Sequence, residues 1–104
     1  MKLKFPKKIE IGDHTFNITY NKKISGGSFD FEALSIEIGT KYLGISPDTI
    51  FGIICHEVME IIHVVTSTRY VDFGTMRDFK FFMTHKEFEV NTILFSKAIQ
   101  KFIT

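Results

Sequence analysis

Apolar and polar residues alternate with period two through the first third of the chain and then shift to a helical period, so the pattern itself divides the sequence. Ile9 and Ile11 alternate with Lys8 and Glu10, Gly12-Asp13 supplies a tight turn, and Phe16, Ile18 and Tyr20 alternate on the return. That predicts an antiparallel β-hairpin. After Ser25-Gly26-Gly27, Phe29 and Phe31 flank Asp30, and Leu34, Ile36 and Ile38 flank Ser35 and Glu37, which predicts a second hairpin and an N-terminal β region over residues 8–38. Residues 39–45 read as loop.

Ser46-Pro47-Asp48 marks a helix start, with Ser46 as the cap, proline at the first helical position and Asp48 near the positive end of the helix. The helix is expected over residues 47–65 and to stop at Thr66-Ser67-Thr68. Next, Tyr70 to Phe73, Gly74-Thr75 and Asp78 to Met83 suggest a short, irregular hairpin within residues 69–83. Thr84 and Glu87 have the spacing of a capping box, so a last helix should occupy residues 85–103, with His85 in its first turn. Its predicted core stripe is Phe88, Thr92, Phe95, Ile99 and Phe102, widened by Leu94 and Ala98.

The 104 residues fit one domain with one modest core, filled by a 44% hydrophobic chain that includes 12 phenylalanines. The expected class is α+β, with the β-hairpins packed on the first helix and the C-terminal helix. Thirteen basic and 12 acidic side chains leave a formal charge of +1, and the lysines are scattered, so nucleic acid is not the expected partner. The basic N-terminus is followed by no apolar run of signal-peptide length, and no stretch of about 18 apolar residues occurs. The expectation is a soluble, cytoplasmic protein with no membrane partner. A single cysteine means that any metal site must come from histidine and carboxylates.

Those residues gather in the first helix. His56, Glu60 and His63 stand at i, i+4 and i+7, within about 60° of arc on one face, opposite Ile50, Phe51, Ile54, Cys55, Val58, Ile61, Ile62 and Val65. The row contains no lysine or arginine, which a solvated helix face usually carries, and Gly52 leaves open space above His56. Spacing of i, i+4 lets His56 and Glu60 reach one ion, and a glutamate oxygen is an acceptable zinc ligand that also suits manganese or iron. Glu57, roughly a quarter turn aside, is placed to act as general base on a water whose pKa a metal lowers toward about 7. A catalytic zinc takes three protein ligands. His63 would have to span about 10 Å of helix rise, so His85, arriving from another element, is the preferred third ligand.

The two-hairpin sheet, the helix carrying His56-Glu57 and the final helix opened by His85-Lys86-Glu87-Phe88-Glu89 together resemble the minimal zincin-like metallopeptidases of phages and mobile elements, over about residues 9–102. The resemblance implies a zinc-peptidase fold with His56 as ligand, Glu57 as base and a peptide or protein substrate. This chain departs from the family pattern at Glu60, where the family has its second histidine. It departs again where many members take a carboxylate from the last helix, and His85 stands here with Glu87 or Glu89 as alternates.

The rival expectation is a non-catalytic protein of the same fold, whose polar stripe binds a metal structurally or a partner protein. Other candidates read as structural: Cys55 as a small core residue, His14 as a turn residue, His63 as a support or an exposed side chain. Arg69 and Tyr70 follow the helix, where loop packing is the simpler role and hydrogen bonding to a substrate carbonyl the functional one. Oligomeric state is open.

Overall fold

Gly12 has a φ of 62°, and with Asp13 it turns β1 (Lys8–Ile11) back onto β2 (His14–Asn21), a backbone conformation that costs glycine nothing. This computed structural model describes residues 2–72, 74 and 78–104. Within them the chain is α+β, with two helices and six strands in two sheets. β3 (Gly27–Asp30) and β4 (Ser35–Gly39) complete the larger sheet, in the order β1-β2-β4-β3.

Both predicted hairpins are present, and the sheet joins them through a pairing that the sequence pattern did not specify. β1 with β2 and β3 with β4 are antiparallel, but β2 and β4 pair in parallel, with Ile18 opposite Ile36 and Tyr20 opposite Ile38. After β2 the chain goes out to the edge as β3 and returns inward as β4. Burial accounts for this order: Ile36, Ile38 and Gly39 are buried and belong in the middle, whereas β3 is nowhere better than half-buried. Phe31 and Leu34, predicted as strand residues, lie in the intervening turn, where Leu34 has a φ of 51°.

Helix α1 (Pro47–Val65) has the predicted bounds. Its buried Ile50, Ile54, Val58, Ile61 and Ile62 meet Ile9, Ile11, Phe16, Ile18, Ile36 and Ile38 of the sheet. Each such side chain contributes about 1.5–3 kcal/mol on burial. Ser46 does not cap as expected, because its hydroxyl pairs with the Thr49 hydroxyl at 2.7 Å and takes no backbone N–H. β5 (Arg69–Val71) and β6 (Phe79–Phe81) form a two-stranded antiparallel ribbon, and the parts of the predicted hairpin at Phe73 and Thr75 lie outside the described residues.

Helix α2 (His85–Ile99) begins at Thr84 through a complete capping box: Thr84 N–H donates to Glu87 Oε1 at 2.9 Å, and Glu87 N–H donates to Thr84 Oγ1 at 3.2 Å. It ends in a 3₁₀ turn, Gln100–Phe102. Its inner face differs from the predicted stripe in the first half, where Phe88 is 56% exposed and Asn91 is buried instead. The Asn91 amide donates to Thr68 Oγ1 at 3.4 Å, which turns this line inward. Ala98 and Phe102 are buried as predicted, with Leu94, Phe95 and Ile99 packed against the core. Among the described residues no helix is long and apolar enough to cross a membrane.

Candidate metal and proton-transfer site

The row on α1 runs from solvent into the protein: the His56 side chain is 68% exposed, Glu60 22%, and His63 is buried. His56 Nε2 lies 3.2 Å from Glu60 Oε2. Glu57 joins them, so that one donor atom from each of His56, Glu57 and Glu60 lies within 4.8 Å of the other two. Among the described residues this is the group of three or more His, Cys, Asp and Glu side chains close enough to share an ion.

Glu57 sits deeper than the sequence suggests. It is 5% exposed, facing the edge strand β3, where only a glycine leaves it room: a Cβ on Gly27 would come within 2.9 Å of Glu57 Cγ and of Ile53 Cγ2. Burial pushes the Glu57 carboxyl above its ordinary pKa, and Glu60 adds to the rise, while His56 and Arg69 pull it back. The result is a carboxylate that holds a proton more readily than a surface glutamate does. That is the property a general base requires.

Arg69 is the neighbour whose role in the site the sequence did not indicate. Its Nε is 3.7 Å from Glu60 Oε1, and its guanidinium lies 3.5 Å from the Phe79 ring centroid and 5.5 Å from that of Phe29. Strands β3, β5 and β6 thus hold one cation against the helix. Glu60 turns Oε2 to His56 and Oε1 toward Arg69, the second an electrostatic contact beyond hydrogen-bond distance. The His56 imidazole and the Glu60 carboxylate are donor types that fit zinc, manganese or iron, with the Glu57 carboxylate beside them to receive a proton.

His85 is placed elsewhere. Its side chain is 84% exposed in the first turn of α2, with Nδ1 3.4 Å from Glu89 Oε1, and it is not in the converging set. Glu87 is occupied by the cap. Of the alternates, neither Glu87 nor Glu89 reaches the His56 cluster. Cys55 is only partly buried and lines a groove of about 470 Å³ with His56, Met59, His63, Phe79 and Phe81. On the other side of His56, a cleft of about 420 Å³ lies between α1 and Gly26-Gly27, and a Cβ on Gly52, which borders both, would meet nothing within 4 Å. His14 packs its ring 5.0 Å from Phe31.

His63 supports the helix end. Its Nδ1 is 2.7 Å from Thr68 Oγ1, its ring centroid is 4.6 Å from that of Phe81, and burial lowers its pKa below the ordinary 6.5, with Glu60 opposing. The unfolded chain therefore takes up a proton near pH 6.5 that the folded protein excludes. Stability from His63 is present above that pH and lost as the pH falls toward the folded value. In chelator, the thermal midpoint of the parent should fall between pH 7.5 and 5 by more than that of His63→Asn. Parallel pH profiles would exclude His63 as the group responsible.

Comparison with protein-family models, with curated proteins and with solved structures gives no match.

Proposed function

We propose that the chain is a small zincin-like, metal-dependent hydrolase acting on peptide or amide bonds, in which His56 and Glu60 hold one divalent cation and Glu57 is the general base. The observation that carries this reading is the convergence of three donors within 4.8 Å, one of them a buried carboxylate with a raised pKa. When bound, the metal would supply an acidified water and a Lewis acid for the substrate carbonyl. Glu57 accepts the proton of the attacking water and returns it to the leaving amine. Arg69 keeps Glu60 oriented and balances its charge. The two hollows that flank His56, one along β3 and one lined by Phe79 and Phe81, give an extended substrate room on both sides of the reacting bond.

One observation favours a second reading, a non-catalytic metal-binding or protein-binding module of the same fold. Glu60 is already paired with both His56 and Arg69, an arrangement that also serves as a self-contained polar network.

Elemental analysis of untagged protein separates the two. The hydrolase reading expects about one zinc, manganese or iron per chain, lost in His56→Ala and Glu60→Ala and retained in His85→Ala. Loss in His85→Ala as well would make His85 the third ligand, carried in by movement of the first turn of α2. A parent that takes up no metal even after incubation with zinc would remove the hydrolase reading and leave the binding module.

A further inference from the structure

The lysines that look scattered along the sequence are gathered by the fold. Leu3 bridges to Ile103, and Lys4 N–H donates to the Phe102 carbonyl at 2.7 Å, so the two ends of the described chain lie side by side. As a result Lys4 and Lys8 come to line one groove with Lys97 and Lys101 of the α2 end. The groove measures about 940 Å³, and among the described residues Glu10 is its one acidic lining residue. All four lysines are exposed, and none forms an ion pair among the described residues.

One wall of this groove is an open sheet edge. β1 is the outer strand at the end of the sheet opposite β3, far in strand order from the His56 site. Ile18 N–H donates to the Lys7 carbonyl at 2.8 Å, which makes Lys7 and Ile18 a hydrogen-bonded pair. Alternation then directs the backbone groups of Ile9 and Ile11 toward β2 and those of Lys8 and Glu10 toward the free edge. Lysines on an edge strand can serve only to discourage pairing. Lys97 and Lys101, however, come from a helix that has no edge to guard, and they face the same space.

We infer that this groove binds an extended acidic segment of a partner protein, which adds to β1 as a fifth strand. Backbone pairing with Lys8 and Glu10 supplies register over a strand of 4 residues, about 13 Å. Acidic side chains at every second position then meet the lysines of α2. Among the described residues the lining holds no aromatic ring and no arginine. It therefore lacks the stacking platform and the bidentate fork by which single-stranded nucleic acid is commonly held.

The test uses the full chain and a fluorescein-labelled peptide of alternating glutamate and valine, followed by fluorescence anisotropy and by amide chemical shifts. Expected are saturable binding at low salt, weakened at least tenfold by Lys97→Glu combined with Lys101→Glu, and a similar loss when alternate peptide amides are N-methylated so that they cannot pair. Lys8 and Glu10 amides should shift more than that of Ile9. Because the two substituted lysines are exposed, circular dichroism should show the variant folded. Undiminished binding of the N-methylated peptide, tighter binding of a single-stranded oligonucleotide of equal charge, or no binding of the acidic peptide would each overturn the inference.

Discussion

Replacing Glu57 by Gln is expected to lower hydrolysis of a quenched fluorescent peptide library by about 10²–10⁴-fold, the usual contribution of a general base. In the metal-free protein the same change should raise the thermal midpoint at neutral pH. Both effects follow from one placement. Glu57 is buried beneath Gly27, and burial is the largest influence raising its pKa. A carboxyl whose folded pKa is raised contributes stability that is fully present below the unfolded value and lost as the pH climbs through the folded one. Toward neutral pH the parent therefore bears the cost of a carboxyl whose surroundings oppose its ionisation, and the amide does not. The advantage of Glu57→Gln should shrink as the pH falls toward the ordinary 4.5 of a glutamate. Gain of stability with loss of turnover is the mark of a residue kept for chemistry. A variant that is less stable at pH 7 and still turns over peptide would defeat the assignment.

What the sequence made legible is what local chemistry decides. Pro47 and the Thr84/Glu87 pair fix helix starts within a few residues of themselves, and the helical period fixes the rows that follow. His56 and Glu60 were readable together for the same reason, since four residues of helix suffice to align them. The order of strands was not readable, because the alternation of Ile36 and Ile38 is the same whether β4 pairs with β3 alone or also slots in parallel beside β2. Nor was the burial of Glu57, which depends on a glycine thirty positions earlier in sequence coming to lie across from it. For Arg69 the sequence offers loop packing or a substrate contact, but its acidic neighbour is the ligand candidate Glu60, and nothing in their spacing signals the approach. The capping box puts His85 at a helix mouth. A helix start says only where the residue sits on its own helix, and the packing of α2 around Asn91 leaves His85 outside.

Gly39→Ala is expected to be the most damaging single-atom-group addition to the fold. A Cβ at Gly39 would lie 2.5 Å from the carbonyl oxygens of both Gly26 and Ile24 and 2.7 Å from the Ile24 carbonyl carbon. All three are backbone atoms, which cannot swing aside as a flexible side chain can. The segment is drawn close by the Gly39 N–H, which donates to the Gly26 carbonyl at 2.7 Å, and by Lys41 N–H, which donates to Ile24 at 3.1 Å. The methyl would have to break these bonds or lift the chain. Overpacking of this kind costs about 3 kcal/mol, the upper end of its usual range. For a domain of this size that corresponds to a fall of roughly 12–24 °C in Tm. Gly26→Ala is the matched control, since a Cβ there meets nothing within 4 Å, and its Tm should stay near the parent value. Because the displaced segment leads directly into Gly27, the strand that covers Glu57 moves with it. Metal uptake in Gly39→Ala should therefore weaken even at temperatures where the variant is still folded. A Tm within a few degrees of the parent would mean that the Ile24–Gly26 segment does not press on β4 as described, and the cover over Glu57 would then have to be held by β3 pairing alone.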